Sequence, residues 1–212
     1  MTLRLVILAS GRGSNAKAIL NAIQQHELDA EVCLLISNKA DAPVLEMAQE
    51  YGIKTQVIPS KGLSRETHED FLIKAIQPLN PDYIVLAGYM RLFTTKFVNT
   101  FNTSRQYRII NIHPSLLPRF KGAHAYQDAW DACVPESGIS IHYVTEAMDE
   151  GPILSQNTFP RMPFDTFESF QQRGLALEHQ LYPKVLQQLA IEKSSLNNNT
   201  NNLQEALPCL PV

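Results

Sequence analysis

Two kinds of hydrophobic pattern alternate along the first part of the chain. Near-continuous apolar runs, typical of strands covered on both faces, occur at residues 3–9, 30–37, 55–58, 83–88 and 108–113. Between them lie segments whose apolar residues recur every three or four positions, which predicts amphipathic helices in NAKAILNAIQQHEL, APVLEMAQEYG and SRETHEDFLIKAIQPL. This alternation predicts an α/β fold, with a doubly wound, mostly parallel sheet in a single domain.

The pattern changes after residue 120. It predicts a helix near residues 123–132, strands in ISIHYVT and PILSQNTF, and a long helix from about Asp165 to Ala190. The two strands are expected to extend the sheet at one side, as a hairpin-like or mixed addition. From Lys193 onward the chain is Asn-rich and nearly uncharged, a composition typical of poorly ordered segments. We therefore assign residues 1–192 to one domain and predict that residues 193–212 form an Asn-rich, disordered tail.

Charge and cysteine content restrict the class of partner. The chain has a formal net charge of -3 and no dense run of Lys or Arg, which argues against nucleic acid and anionic membranes. Its cysteines, Cys33, Cys133 and Cys209, lie far apart without a C-x-x-C pair, so neither a zinc site nor a disulfide framework is indicated. The apolar run at the amino terminus is too short for a signal sequence or membrane span. We expect a cytoplasmic protein that acts on small molecules.

The segment ASGRGSNA follows the first predicted strand and opens the first predicted helix. Gly11 and Gly13 permit a tight turn, and the amides of Ser14 and Asn15 lie at a helix N-terminus, where an anion such as phosphate is favoured. The segment also fits the dinucleotide fingerprint G-x-G-x-x-A, but residues 37–39 are SNK where that fingerprint needs an acidic side chain. The alternative to a phosphate loop is an ordinary strand-to-helix turn.

The strand in RIINIHPSLLPR ends in two polar side chains. Asn111 and His113 alternate along the strand and therefore project from the same face, at the edge where open α/β sheets bind ligands. An amide donates to an oxygen that becomes negative, and an imidazole acts as acid or base. Pro114 and Pro118 stiffen the loop that follows. The alternative is that the two polar residues only cap a strand end.

The loop VTEAMDEGPI contributes a carboxylate, Asp149. Close to His113, this carboxylate would favour the imidazolium or hold a water that relays protons. The alternative is simple turn chemistry in D-x-G-P. His113, His142 and Asp149 lack the compact spacing of a metal site, so no metal is expected.

Taken together, these segments resemble the folate-dependent formyltransferases over roughly residues 3–190. N-I-H-P-S-L-L-P with a downstream D-x-G-P is specific to that family, and G-R-G-S-N narrows the resemblance to its glycinamide ribonucleotide branch. The resemblance implies a Rossmann-like formyltransferase fold. It implies transfer of the formyl group of 10-formyltetrahydrofolate to the amine of glycinamide ribonucleotide in purine (IMP) biosynthesis. Direct attack would pass through an oxyanion and give N-formylglycinamide ribonucleotide and tetrahydrofolate. The chain is expected to be a monomer or homodimer.

The resemblance also implies a role for particular residues. The catalytic group would be Asn111, His113 and Asp149. The ribonucleotide would contact Gly13, Ser14, Asn15 and Glu178. The reduced folate would contact Arg65, Met90, Arg91, Leu92, Phe93 and Asn111.

Three other functions compete with this interpretation. A formyltetrahydrofolate hydrolase would use the same Asn, His and Asp with water as acceptor, but that branch carries a further amino-terminal regulatory domain. A methionyl-tRNA formyltransferase would need a further nucleic-acid-binding domain and a more basic surface. A non-catalytic nucleotide-binding module would keep the phosphate loop alone.

Overall fold

A single sheet dominates the computed structural model, which describes residues 2–104 and 106–205, with side chains to residue 196. Within those residues the sheet has seven strands in the order β3-β2-β1-β4-β5-β6-β7. The strands are β1 Leu3–Ala9, β2 Ala30–Ser37, β3 Thr55–Val57, β4 Tyr83–Leu86, β5 Ile109–His113, β6 Glu136–Tyr143 and β7 Ile153–Pro160. Strands β1 to β5 pair in parallel with their neighbours among these five. Strand β6 pairs antiparallel with both β5 and β7. The predicted mixed addition at one side of a doubly wound sheet is confirmed.

Helices cover both faces of the sheet. They are α1 Ser14–Gln24, α2 Val44–Glu50, α3 Arg65–Ile76, α4 Thr95–Phe101, α5 Ala125–Asp131 and α6 Phe167–Glu205. Alternate side chains of β1 enter different cores: Ile7 packs with residues of α1, α2 and α6, and Leu8 packs with residues of α3 and α4. Because both faces of each central strand are covered, the strand sequences are continuously apolar.

The last helix is longer than the sequence pattern predicts. The pattern places its end near Ala190 and the start of a tail at Lys193, but the structure continues α6 to Glu205. Lys193 supplies part of the reason: its Nζ lies 2.6 Å from Asp82 Oδ2 and 3.2 Å from the carbonyl oxygen of Thr2. These contacts attach the helix to the amino-terminal edges of β1 and β4. The remainder of the predicted tail, residues 206–212, lies outside the described residues.

Two further observations concern the described part of the chain. None of its helices is both long enough and apolar enough to cross a membrane. The same residues contain no cluster of three or more His, Cys, Asp or Glu side chains arranged to hold a metal ion.

Candidate active site

The central crevice of the sheet lies between β1 and β4, where the direction of the strand order reverses. Ligands of open α/β sheets bind at this kind of switch point, beyond the carboxyl ends of the strands. Three segments that carry predicted site residues lie at the ends of adjacent strands here: the glycine loop after β1, residues 87–93 after β4, and residues 111–113 at the end of β5. The topology therefore brings the predicted ribonucleotide, folate and catalytic residues to one edge.

The glycine loop has the geometry of an anion site. Gly13 adopts φ 75°, in the left-handed region, and precedes α1 without a side-chain cap. A Cβ atom at Gly13 would lie 2.2 Å from Cγ2 of Val44, so α2 packs too closely for any side chain. The first amides of α1 are thus open to an external acceptor, as in phosphate loops.

Asn15 and Glu178 connect this loop to the last helix. Asn15 Nδ2 donates to Glu178 Oε2 at 2.5 Å, and the Tyr126 hydroxyl donates to Glu178 Oε1 at 2.6 Å. Glu178 is only 5% exposed, and this burial raises the pKa of its carboxyl while both donors oppose the rise. Asn15 Oδ1 is buried without a hydrogen-bond partner among the described atoms. The four predicted ribonucleotide residues therefore lie in one continuous group.

The three predicted catalytic residues converge, and a fourth side chain joins them. Asp149 Oδ2 lies 3.6 Å from His113 Nδ1, and Asp149 Oδ1 lies 3.7 Å from His142 Nε2. Asn111 pairs directly with His142 across β5 and β6, and its Nδ2 lies 3.3 Å from His142 Nε2. We call Asn111, His113, His142 and Asp149 together the candidate catalytic group.

Hydrogen bonds define the role of each imidazole. His142 Nδ1 lies 2.9 Å from the carbonyl oxygen of Tyr143 and donates to it, so Nε2 is left to accept from the Asn111 amide. Burial lowers the pKa of His142, although its bond to Tyr143 and the charge of Asp149 oppose the change. His142 is thus neutral and orients Asn111. His113 Nε2 donates to the carbonyl oxygen of Phe120 at 2.7 Å, so its Nδ1 faces Asp149.

Two loops hold Asp149 and the Phe120 carbonyl against His113. Both residues adopt left-handed φ values, 54° and 52°, which are costly for residues with a Cβ and occur where surrounding contacts impose them. The amide of Gly122 donates to Asp149 Oδ2 at 2.9 Å. Lys121 Nζ also pairs with Glu150 Oε1 at 2.7 Å. The loop after β5 and the loop after β6 therefore act as one support for the imidazole.

The predicted folate residues divide into outward and inward side chains. Met90 and Leu92 are 68% and 53% exposed, although both are apolar. Phe93 is half-buried and stacks between Tyr89 and Phe97, with ring centroids 5.7 Å and 4.1 Å away. Arg91 is partly exposed between them, and Arg65 opens α3 at an exposed position.

Sequence reasoning misses two side chains of the site. The sequence presents His142 only as part of a metal set that its spacing argues against, because the pairing of His142 with Asn111 depends on the register of β6. Tyr126 is missed altogether, since a tyrosine among apolar residues on a short helix carries no local signal. Both become visible only when strands and helices distant in sequence are placed side by side.

This geometry is that of an α/β protein in which a buried His–Asp pair and a glycine loop at a helix N-terminus lie at the same edge of the sheet. The model of the formyl transferase family matches residues 3–186. Phosphoribosylglycinamide formyltransferase of Escherichia coli (strain K12) is 36% identical over 198 residues, covering 93% of this chain and 92% of the relative. The protein of that name from Bacillus subtilis (strain 168) is 37% identical, covering 88% and 94%.

A solved structure agrees with these relatives. The crystal structure of phosphoribosylglycinamide formyltransferase from Brucella melitensis is 45% identical with a TM-score of 0.82, covering 90% of this chain and 96% of that one. The chain therefore belongs to the formyl transferase family and, within it, to the phosphoribosylglycinamide formyltransferases.

Proposed function

We propose that this chain transfers the formyl group of 10-formyltetrahydrofolate to the amine of glycinamide ribonucleotide. The products are N-formylglycinamide ribonucleotide and tetrahydrofolate. The observation that carries the proposal is the convergence of Asn111, His113 and Asp149 beside the glycine loop, in a chain whose relatives are named for this reaction. The free thiols of Cys33 and Cys133 support a cytoplasmic location. Monomer or homodimer remains the prediction for the oligomeric state.

The ribonucleotide is assigned to the glycine loop and Glu178. Its phosphate would accept from the amides of Gly13, Ser14 and Asn15 at the start of α1. The ribose hydroxyls would donate to Glu178, whose carboxylate Asn15 and Tyr126 already hold in place. A carboxylate fixed before binding loses little freedom when the hydroxyl arrives, which favours affinity.

The reduced folate is assigned to residues 90–93 with Arg65 and Asn111. Exposed Met90 and Leu92 provide apolar surface that a flat ring system would cover. The guanidinium groups of Arg65 and Arg91 suit the carboxylates of the folate glutamate. Phe93 would contribute through its exposed edge, because Tyr89 and Phe97 cover its faces.

The chemistry we assign to the candidate catalytic group is direct acyl transfer. The amine attacks the formyl carbon, a C–N bond forms, and the formyl oxygen becomes an oxyanion. Asn111 donates to this oxygen through the N–H that His142 does not use. His113 donates to it as the imidazolium, which Asp149 stabilises at 3.6 Å. Because His113 Nε2 already donates to Phe120, the oxyanion would have to replace that carbonyl as acceptor.

Collapse of the intermediate completes the reaction. The bond from the formyl carbon to N10 of the folate breaks, and the proton lost by the attacking amine passes to N10, through water held by Asp149. No covalent enzyme intermediate is required.

The test is an assay for tetrahydrofolate. The protein is mixed with 10-formyltetrahydrofolate, with and without glycinamide ribonucleotide. Release of tetrahydrofolate only in the presence of the ribonucleotide supports transfer. Equal release in both mixtures identifies a hydrolase, and no release in either identifies a non-catalytic module.

A further inference from the structure

A closed ring of hydrogen bonds links the loops at the carboxyl edge of the sheet. Ser10 Oγ donates to Asn38 Oδ1 at 2.6 Å, and Asn38 Nδ2 donates to Ser60 Oγ at 3.0 Å. The amide of Met90 donates to Ser10 Oγ at 3.0 Å. These bonds step across the loops after β3, β2, β1 and β4, which is the spatial order of the strands.

A histidine on α3 closes the ring. The Tyr89 hydroxyl lies 2.6 Å from His68 Nε2, and His68 Nδ1 lies 3.2 Å from the carbonyl oxygen of Pro59. Pro59 precedes Ser60 and Tyr89 precedes Met90. The backbone therefore joins the two bonds of His68 to the bonds among Ser10, Asn38, Ser60 and Met90 and closes the ring. We call Ser10, Asn38, Ser60, His68 and Tyr89 the polar circuit.

The state of His68 follows from its neighbours. Its Nδ1 must carry the proton, because the Pro59 carbonyl only accepts, and its Nε2 therefore accepts from the Tyr89 hydroxyl. Burial lowers the pKa of His68; the hydrogen bond to Pro59 opposes this change, and the positive charge of Arg91 acts with burial. Burial also raises the pKa of Tyr89. Both side chains are thus neutral, and each satisfies the other.

α3 holds both ends of the segment predicted to bind folate. His68 fixes its beginning at Tyr89, and the adjacent Glu69 fixes its end, accepting from the amide of Thr94 at 2.8 Å and from its hydroxyl. His68 and Glu69 are both buried. Between Tyr89 and Thr94, the two residues that α3 holds, residues 90–92 are exposed or partly exposed.

We propose that His68 and Tyr89 are positioning residues that hold residues 88–93 in the conformation that binds the reduced folate. This inference rests on the proposed function. If the pair of His68 and Tyr89 served stability alone, breaking it would change the KM values for both substrates equally or change neither. A pair that orients this segment affects folate binding more than ribonucleotide binding, because His68 and Tyr89 contact the segment directly and reach the glycine loop only through the bond from Met90 to Ser10.

Tyr89→Phe removes one hydroxyl and tests the pair. We expect the KM for 10-formyltetrahydrofolate to rise about three- to tenfold, the effect of losing one hydrogen bond, with the ribonucleotide KM within about twofold. His68→Leu should raise the folate KM as well, and it also loses the bond to Pro59. Because both substitutions break the same bond between His68 and Tyr89, the double variant should raise the folate KM no further than His68→Leu alone. His68→Gln should keep a low folate KM, since its Oε1 accepts from Tyr89.

Tyr51→Phe is the matched control. The Tyr51 hydroxyl donates to Asn21 Oδ1 at 2.5 Å, a bond of the same kind between α2 and α1. Its loss should lower the melting temperature and leave the folate KM unchanged.

Titration calorimetry with tetrahydrofolate separates the two proposals. Wild-type protein that binds tetrahydrofolate without turnover refutes the proposed function, and the variants still report on the pair through Kd. A Tyr89→Phe variant with wild-type KM and Kd for folate overturns the positioning role. Equal weakening for folate and ribonucleotide overturns it as well. The positioning role is supported if Tyr89→Phe and His68→Leu weaken folate binding selectively and His68→Gln binds folate as the wild type does.

Discussion

Replacing His113 separates its chemical role from its structural one. The side chain is 4% exposed, and its Nε2 donates a hydrogen bond to the carbonyl oxygen of Phe120. His113→Ala removes the acid and leaves that carbonyl without its donor. His113→Gln also removes the acid, but its Nε2 amide reaches the position from which the imidazole donates to Phe120.

Turnover should fall in both variants. Loss of one oxyanion donor costs about 10²–10³-fold in kcat, and removing the imidazole beside Asp149 also disturbs the water through which we propose that the proton passes, a step worth about 10²–10⁴-fold. The two effects share one side chain and do not multiply, so we expect a fall of about 10³-fold in kcat, with little change in ribonucleotide KM. The tetrahydrofolate assay at saturating substrate measures this.

Stability should distinguish the two variants. An unsatisfied buried carbonyl costs about 1–3 kcal/mol, and each kcal/mol lowers the melting temperature of a chain this long by about 2–4 °C. His113→Ala should therefore melt several degrees below His113→Gln. If His113→Ala kept turnover within about tenfold of wild type, the assignment of His113 as the acid would be wrong.

Three further predictions follow from individual contacts. Gly13→Ala should lose about 1–3 kcal/mol of stability and raise the ribonucleotide KM, as denaturation and kinetics would show, because its Cβ would lie 2.2 Å from Cγ2 and 2.7 Å from Cβ of Val44; adding Val44→Ala should restore neither, since the Cβ of residue 44 remains. Glu178→Gln should raise the ribonucleotide KM about tenfold or more with the folate KM unchanged, which steady-state kinetics would check. Burial lowers the pKa values of the His68 and His142 imidazoles. Below about pH 6.5 these two side chains therefore bind protons in the unfolded chain more readily than in the folded chain. The free energy of unfolding should thus decrease from pH 7 to pH 5 in denaturant titrations, and less steeply in His68→Gln; an equal slope would contradict this origin.

The sequence predicted those features that depend on local periodicity. Continuous apolar runs indicated the parallel strands, and the alternation of Asn111 and His113 placed both on one face. The loop VTEAMDEGPI offered Asp149 as a carboxylate near His113, the family resemblance implied that it belongs to the catalytic group, and the structure places it beside His113. The pairing register that brings His142 to Asn111, and the docking of Tyr126 on Glu178, depend on packing between distant segments. The contacts of Lys193 with Asp82 and Thr2 likewise join distant segments, and they attach α6 to the sheet at a point beyond the end that its amphipathic pattern predicts.

The bond between Asn15 and Glu178 joins residues 163 positions apart in sequence. During synthesis, the glycine loop leaves the ribosome 163 residues ahead of its partner on α6. The nascent chain therefore lacks one part of the proposed ribonucleotide site until α6 packs against α1, although most of the sheet is complete by then. In nascent chains released at increasing length, protection against proteolysis by glycinamide ribonucleotide should consequently appear in a single step, at the length where α6 is able to pack against α1.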